Sequence, residues 1–183
     1  MSKAIVLLGS PRRRGNSEIL ADRAMEGITA AGGACDVFRL NTMKIRPCQA
    51  CDYCRRDGHT LCAIHDDMDT IYAALSESDV ILLACPIYMF TITAQLKLFM
   101  DRCYACPGLL AGKRVGILLT YGDTNEHTSG AINAMNTFRD EYRYAHADLV
   151  GIVHASAGGK GEIATNEKAL EEAFLLGKAL FKD

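Results

Sequence analysis

Four cysteines occupy one short stretch of the chain, in the spacing Cys48-x2-Cys51-x2-Cys54-x7-Cys62. Three thiols placed two residues apart cannot all face a hydrophobic core, whereas they can wrap a loop around one soft metal centre. We call residues 47–62 the cysteine segment. What such a centre would serve depends on the fold that carries the segment.

Composition indicates a single well-packed domain. The 183 residues are 49% hydrophobic and 23% charged, and we expect one domain over 1–183 with the cysteine segment inserted after the second strand. A net charge of −2 gives no reason to expect nucleic acid or an anionic membrane as a partner. No apolar run approaches the roughly 18 residues that a membrane helix needs.

The cysteine count and the first residues predict where the protein works. Ala4–Leu8 runs into Gly-Ser-Pro-Arg rather than a small-residue cleavage site, which is typical of a first strand and not of a signal peptide. Eight cysteines in 183 residues fall short of the density of a secreted disulfide scaffold. We therefore expect a cytoplasmic protein with reduced thiols, in which clustered cysteines indicate metal or redox chemistry.

Short apolar runs alternate with helical patterns along the whole chain. The predicted strands are Ala4–Leu8, Asp36–Leu40, Asp79–Ala84, Arg114–Thr120 and Asp148–Val153. The predicted helices are Asn16–Thr29, one that follows an N-cap at Asp66, Thr93–Tyr104, Ser129–Tyr142 and Asn166–Lys182. This alternation predicts βαβ units, a five-stranded parallel sheet and helices on both faces, which is a three-layer α/β sandwich.

The loop after the first strand has the composition of an anion site. It reads Gly9-Ser-Pro-Arg-Arg-Arg-Gly-Asn-Ser17 and opens directly into a helix, where backbone N–H groups and a positive dipole meet. A plain helix cap in a polar loop would need only one of these residues. The loop lacks the Lys-Ser or Lys-Thr of a P-loop and the dinucleotide G-x-G-x-x-G pattern, so it predicts a site that holds a phosphate without transferring it.

Two further loops follow strands at the same edge of the predicted sheet. Cys85–Thr91 is apolar and aromatic, which suits the face or edge of a flat ring, although a hydrophobic turn on its own helix would look similar. Thr120-Tyr121-Gly122-Asp123 adds a second aromatic residue and a glycine that allows close approach. Together the three loops describe a mononucleotide site, and flavin fits better than ATP because nothing resembles a magnesium-binding catalytic set.

These motifs, taken together, resemble one known family. The run GSPRRRGNS, the cysteines with Asp-Asp-Met behind them, and the run CPIYMFTITAQLKLFMDR are similar to the NAD(P)H-dependent FMN reductases. Within that family the iron–sulfur flavoproteins, which have the flavodoxin-like fold, are the most similar branch. The resemblance spans roughly residues 3–155.

The resemblance implies a cofactor, its ligands and its partners. It implies non-covalent FMN with its phosphate on Ser10, Arg12, Asn16 and Ser17. It implies a ring lined by Pro86, Ile87, Tyr88, Met89 and Phe90, with Thr120, Tyr121 and Gly122 on the far side. It also implies NAD(P)H or ferredoxin as the electron donor, a quinone, free flavin or other small acceptor, and a homodimer or homotetramer.

The cysteine segment keeps three interpretations. In the iron–sulfur branch such a motif binds a [4Fe–4S] cluster, and Cys48, Cys51, Cys54 and Cys62 supply the four thiolates that a cubane needs. The Cys-x2-Cys spacing also suits tetrahedral zinc, with His59 or His65 as a substitute ligand. Free surface thiols or a labile disulfide are the third interpretation, and a non-catalytic redox or metal sensor is the matching alternative to an enzyme.

Several other polar residues carry no predicted chemistry. FMN chemistry requires no side-chain acid, base or nucleophile, so we predict no catalytic residue. Cys35, Cys85, Cys103 and Cys106 are expected to pack as small hydrophobic side chains. Lys97, Asp101 and Arg102 have the spacing of a solvated helix face or a subunit contact.

Overall fold

A five-stranded parallel sheet forms the centre of the protein, whose computed structural model describes residues 3–56, 58 and 61–181. The strand order is β2-β1-β3-β4-β5, and every neighbouring pair is parallel. The strands are β1 (Lys3–Leu8), β2 (Ala34–Arg39), β3 (Val80–Pro86), β4 (Arg114–Tyr121) and β5 (Asp148–Ser156). Their carboxyl ends therefore lie at one edge, and the predicted flavodoxin-like α/β fold is confirmed.

Helices cover both faces of this sheet and enclose two separate apolar cores. The helices are α1 (Asn16–Ala30), α2 (Met68–Glu77), α3 (Ala94–Arg102), α4 (Pro107–Leu110), α5 (Ala131–Tyr144) and α6 (Glu167–Ala179). Helices α1 and α6 pack on one face, and α2, α3 and α5 pack on the other. The last predicted helix extended to Lys182, which lies outside the described residues.

The inner strands are buried on both faces, as their sequences require. The side chains of Ala4–Leu8 in β1 and of Val80–Cys85 in β3 are buried in an unbroken run. A strand covered by helices above and below has no solvent-facing position, so its sequence is continuously apolar instead of alternating. Each predicted strand was too short at one end, and the second and third also extended one residue too far at the other end.

Helix α3 is shorter than the predicted Thr93–Tyr104 at both ends. Thr93 lies outside it as the cap, with its side-chain oxygen accepting a hydrogen bond from Leu96 N at 3.4 Å. The same hydroxyl donates to Gly9 O at 2.7 Å, which ties the start of α3 to the loop after β1. At the other end the chain tightens into a 3-10 turn, Cys103–Ala105, ahead of Pro107.

Helix α1 is fixed against α6 by direct backbone contact. A Cβ atom at Gly27 would lie 2.1 Å from Phe174 O, and one at Gly177 would lie 2.0 Å from Ala24 O. Glycine is therefore the residue that this crossing accommodates. The contact sets the direction of α1 and, with it, the position of the N-terminus that faces the carboxyl edge of the sheet.

Among the residues that the structure describes, no helix has both the length and the apolar character to cross a bilayer.

Candidate functional site

A cleft opens at the carboxyl edge of the sheet, between the loops that follow β1, β3, β4 and β5. Its walls are formed by Ser10, Arg12, Gly15, Asn16, Ser17, Pro86, Ile87, Tyr88, Thr120, Tyr121, Gly122, Ala157, Gly158 and Lys160. The three loops that the sequence singled out thus meet in one place, as parallel strands with a common carboxyl edge require.

The N-terminus of α1 forms the polar end of the cleft. The residue before the helix is Gly15, which has no side chain to cap it, and no other side chain makes a capping hydrogen bond. The first backbone N–H groups of an α-helix have no partner within the helix. Because α1 is 15 residues long and its first residues line the cleft, this end offers free donors and a positive dipole to an anion.

The loop before α1 is held in shape by its own polar groups. Ser10 Oγ accepts a hydrogen bond from Arg12 N at 3.1 Å, and Arg14 N donates to Glu18 Oε2 at 2.7 Å. Glu18 also pairs with Arg39, the last residue of β2, at 2.6 Å. The hydrogen bond from Arg39 is the main cause that lowers the pKa of Glu18, which is therefore a charged brace of the loop.

Asn16 joins two walls of the cleft. Its Nδ2 donates to Ala157 O at 3.0 Å and to Gly159 O at 2.8 Å, and its Oδ1 accepts from Ile163 N at 3.3 Å. The sequence predicted this side chain as a phosphate ligand. In the structure it is engaged with the segment after β5, so its contribution to the cleft is to position that wall.

The fourth wall was missed by the sequence analysis. Ala157, Gly158 and Lys160 follow β5 and line the cleft opposite the first loop. Gly159 N donates to Glu162 Oε2 at 2.6 Å, which folds the turn back on itself. The signal was present in the glycine-rich run Ala157-Gly-Gly-Lys-Gly161 after a predicted strand at the same edge.

The apolar loop after β3 divides into a lining part and an exposed tip. Pro86, Ile87 and Tyr88 line the cleft, and Ile87 N donates to Thr120 O at 2.8 Å. Met89 and Phe90 lie beyond the walls, 87% and 60% exposed, in left-handed backbone conformations with φ of 46° and 66°. The structure therefore brings three of these five predicted ring contacts to the cleft and leaves two at its outer edge.

The exposed tip is held from α5. Asn133 Nδ2 donates to Phe90 O at 3.1 Å, and a Cβ atom at Gly130 would lie 2.5 Å from Phe90 Cα. Gly130 has φ of 78°, a conformation that glycine adopts without strain.

Tyr121 closes the side of the cleft formed by β4. Its ring is nearly buried, and its hydroxyl lies 3.1 Å from His154 Nδ1 on β5. Burial raises the pKa of Tyr121, so the phenol stays neutral and serves as an aromatic wall.

The four predicted metal ligands line a second, much smaller cavity. Cys48 and Cys51 are exposed, Cys54 and Cys62 are half-buried, and all four are free thiols around a space of about 20 Å³. Ala50 and Asp52 have left-handed φ angles of 49° and 52°, so the chain curls between the thiols. Four thiols around one cavity are a donor set that suits a soft metal.

The four thiols line one cavity, but they do not form a ready metal site. Within residues 3–56, 58 and 61–181, no three cysteine, histidine or acidic side chains come together as a ready metal site. His65 Nδ1 lies 3.1 Å from Asp69 Oδ2, so it pairs with α2. His59, the other candidate zinc ligand, lies outside the described residues. A cluster or a zinc ion would require the cysteine segment to rearrange around it.

Arg102 does not lie on a solvated face, so that prediction was wrong. It is 1% exposed and pairs with Asp66 at 2.8 Å, because α3 turns this position toward the cysteine segment. Asp66 has a second role close to the predicted cap, since its Oδ1 accepts from Met68 N at the start of α2. Lys97 and Asp101 do form the expected exposed pair.

A further cavity lies away from the cleft. It measures about 530 Å³ and is bounded by the cysteine segment, α3, α4 and α5. Glu141 lines it, and burial raises the pKa of this carboxyl to about 7, with Lys97 opposing and Asp101 adding to the effect. Its Oε2 is buried with no hydrogen-bond partner among the described residues. Nothing in the sequence pattern distinguished this glutamate from the exposed charged residues beside it in α5, Arg139 and Asp140.

Comparison with known proteins agrees with this geometry. Residues 2–177 match the family described as NADPH-dependent FMN reductase. An iron–sulfur flavoprotein of Archaeoglobus fulgidus is 34% identical over 135 residues, which are 72% of this chain and 60% of that protein. An iron–sulfur flavoprotein of Methanocaldococcus jannaschii is 30% identical over 187 residues, covering 96% of this chain and 94% of its own length. The chain thus spans less than two thirds of the first relative and nearly all of the second.

Solved structures share the fold at lower identity. An NAD(P)H:quinone oxidoreductase from Methanothermobacter marburgensis superimposes with a TM-score of 0.79 and 18% identity, over 100% of this chain and 98% of that one. An archaeal flavodoxin superimposes with a TM-score of 0.62 and 17% identity, over 98% and 96% of the two chains. From the sequence match and this fold, the chain belongs to the NADPH-dependent FMN reductase family, whose members are flavin-dependent oxidoreductases.

Proposed function

We propose that the protein is a flavin-dependent oxidoreductase that binds FMN non-covalently in the cleft. Electrons would enter from NAD(P)H or reduced ferredoxin and leave to a small acceptor such as a quinone or free flavin. The observation that carries the proposal is the uncapped N-terminus of α1 at one end of a cleft whose other end is apolar and aromatic. FMN has the same arrangement, with a charged phosphate at one end and a flat aromatic ring at the other.

The polar end of the cleft fits the phosphate of FMN. The first N–H groups of α1 would donate to it, with the hydroxyls of Ser10 and Ser17 and the guanidinium of Arg12 alongside. Lys160 adds a second cation on the opposite wall. Asn16 would act indirectly, since its side chain holds that wall in place.

The apolar end fits the isoalloxazine ring. Pro86, Ile87 and Tyr88 would line one side, and Thr120, Tyr121 and Gly122 the other. When bound, FMN would supply hydride or single-electron transfer, which no side chain of the chain can perform. The residues of the cleft would bind the cofactor, orient it and limit the access of water, and none needs to act as an acid or a base.

We expect the protein to form a homodimer or homotetramer. Met89 and Phe90 support this, because they expose apolar surface directly beside the open side of the cleft. Light scattering coupled to size exclusion measures the mass directly. A Met89→Ser/Phe90→Ser double variant that keeps the wild-type mass would remove this argument.

We further expect the cysteine segment to hold a thiolate-bound metal centre, a [4Fe–4S] cluster being favoured over zinc. The shared cavity of the four thiols and the names of the two curated relatives support this. Anaerobic purification followed by iron, zinc and acid-labile sulfide analysis tests it. Protein that takes up neither iron with sulfide nor zinc would leave the segment as free thiols.

Flavin binding is tested with FMN and riboflavin, which differ only in the phosphate. We expect FMN to bind at least about tenfold more tightly, because charge-assisted hydrogen bonds are worth roughly 1.5–3 kcal/mol. A colourless protein that fails to bind added FMN contradicts the proposal, and equal affinities for the two flavins contradict the phosphate site.

The electron donor is tested by anaerobic stopped-flow mixing of the FMN-loaded protein with NADH, NADPH or reduced ferredoxin. Loss of the flavin absorption near 450 nm with one of them identifies the donor. If none reduces the flavin, the non-catalytic sensor alternative is favoured.

A further inference from the structure

Arg102 is the most deeply buried cation of the described chain that has an identified ion pair. Its side chain is fully buried, and its partner Asp66 is nearly so. Burying a guanidinium is unfavourable unless its hydrogen bonds and charge are matched, so such a residue is retained for what it organises rather than for stability alone. Its partners show what that is.

The guanidinium connects the two ends of the cysteine segment. Nη1 donates to Arg46 O at 3.0 Å, directly before the segment, and Nη2 donates to Ile64 O at 2.9 Å, just after it. Asp66 completes the junction, because its Oδ2 accepts from Arg102 Nη1 at 2.8 Å and from Arg46 N at 2.9 Å. A single side chain from α3 therefore closes the base of a long surface loop, a conformation that is otherwise opposed by chain entropy.

Arg102 also lines the cavity that the four cysteines share. Arg102 is the positively charged residue among those that line this cavity. Asp52 and Asp101 are the negatively charged ones, and Asp101 is paired with Lys97. The Nε–H of Arg102 is buried and has no hydrogen-bond partner in the described part of the chain.

We infer that Arg102 is a positioning residue for the cysteine site: it clamps the ends of the segment and offers a buried positive charge and a spare N–H to an anionic, thiolate-ligated centre. The contacts by which Arg102 holds the two ends of the segment do not depend on a metal, whereas the role of its charge rests on the metal centre proposed above. A centre with four thiolates carries net negative charge, which a buried guanidinium compensates. The exposed thiols between the clamped ends are free to close around such a centre.

Four substitutions separate these roles. Arg102→Met removes both the clamp and the charge, and Arg102→Lys keeps the charge but loses the planar guanidinium that reaches two carbonyls. Lys44→Met is the control, since it removes an exposed cation near the same end of the segment. Asp66→Asn weakens the clamp with a smaller change and replaces Arg102→Met if that variant does not fold. FMN affinity within about twofold of wild type shows that each variant keeps its fold.

The clamp is measured by hydrogen exchange of residues 46–66 in the metal-free protein. We expect exchange to accelerate by about tenfold or more in Arg102→Met and in Asp66→Asn, and to stay unchanged in Lys44→Met. Exchange rates in Arg102→Met that equal those of the wild type would contradict the proposed clamp.

The charge is measured by competition for zinc with a chelator and by iron and sulfide content after anaerobic reconstitution. Residues that support metal ligands typically change affinity roughly 10–100-fold, which is the loss expected for Arg102→Met, with Arg102→Lys in between and Lys44→Met near wild type. Equal metal affinity in Arg102→Met and wild type overturns the inference about charge. A wild type that binds no metal instead refutes the proposed centre, and the exchange result still decides the clamp.

Discussion

The cleft and the cysteine segment are both loops around a cavity, yet they are built in opposite ways. The cleft loops are fixed by backbone bonds to neighbouring strands, such as Gly9 N to Ala84 O at 2.9 Å and Ala157 N to Tyr121 O at 2.7 Å. The cysteine segment is fixed at its ends by Arg102. Between those ends it has local bonds, such as Ala50 N to Cys48 Sγ at 3.5 Å, and the Arg55 guanidinium lies 4.0 Å from the centre of the Tyr104 ring.

The difference indicates two kinds of site. Loops attached to adjacent strands inherit the rigidity of the sheet, so the cleft is formed before any ligand arrives. A segment that lies outside the sheet and is clamped at its ends can adapt its middle. Four thiols that line one cavity without forming a ready metal site would require this. The cofactor of the cleft should therefore be independent of whatever the thiols hold.

The strongest test of that independence is replacement of Cys48, Cys51, Cys54 and Cys62 by serine together. We expect complete loss of zinc and of reconstituted iron and sulfide, since the ligands are gone, with FMN affinity unchanged within about twofold. Metal analysis and FMN titration on the same preparations measure both. A tenfold fall in FMN affinity would show that the two sites are coupled.

The carboxyl of Glu141, below the cysteine segment, should show the next largest effect. Its pKa is raised to about 7 by burial, so the folded state holds a proton that the unfolded state releases above its ordinary pKa. Stability from this group therefore falls as pH rises from about 4.5 to about 7. Glu141→Gln stays neutral and should be more stable than wild type by roughly 2–3 kcal/mol near pH 8.5 and nearly equal near pH 4.

Urea unfolding of the two proteins at both pH values measures this difference. Exposed Glu172→Gln serves as the control and should match wild type throughout. A difference between Glu141→Gln and wild type that does not change with pH would contradict the assignment.

At the cleft, Arg12→Met should weaken FMN binding about tenfold and leave riboflavin binding unchanged. The reason is the loss of a charge-assisted contact, which affects only the ligand that carries a phosphate. Arg13→Met is the control, because Arg13 is exposed and is not among the residues that line the cleft. Equal losses for the two flavins would place Arg12 away from the phosphate.

The contribution of Glu18 to the free energy of unfolding should change with pH in the opposite direction to that of Glu141, and by a smaller amount. Its pKa is lowered, chiefly by Arg39, so its contribution is present above the ordinary pKa of a glutamate and is lost as pH falls through the lowered value. Glu18→Gln should cost about 1 kcal/mol at neutral pH, and the cost should vanish in strong acid. The same urea titrations apply, and a constant cost at every pH would exclude the charge as its cause.

Most of the cleft was predictable because each of its loops directly follows a strand. An unbroken apolar run such as Val80–Ala84 marks a strand buried on both faces, and parallel strands must end at one edge. Pro86 and Tyr121 are then expected at that edge, because they lie at the carboxyl ends of the third and fourth strands. The tip at Met89 and Phe90 did not follow, since the two left-handed residues that turn it outward have no signature in the sequence.

Long-range polar contacts were the part that pattern analysis could not supply. Asn16 was assigned to phosphate from its place in the loop, while its side chain bonds to residues more than 140 positions away. Arg102 was assigned, with Lys97 and Asp101, to a solvated helix face or a subunit contact, because helical periodicity does not show which other segment lies against a helix.

The sequence by itself determined the order of strands and helices, the edge at which ligands gather and the family to which the chain belongs. Those properties depend on local apolar patterns and on motifs that are continuous in the chain. Only the tertiary structure decided that Asn16 joins two walls and that Arg102 closes the cysteine segment. It also decided that Glu141 Oε2 is buried with no hydrogen-bond partner among the described residues. Each of these depends on which distant segment packs against a side chain, and burial is a property of that packing rather than of the residue.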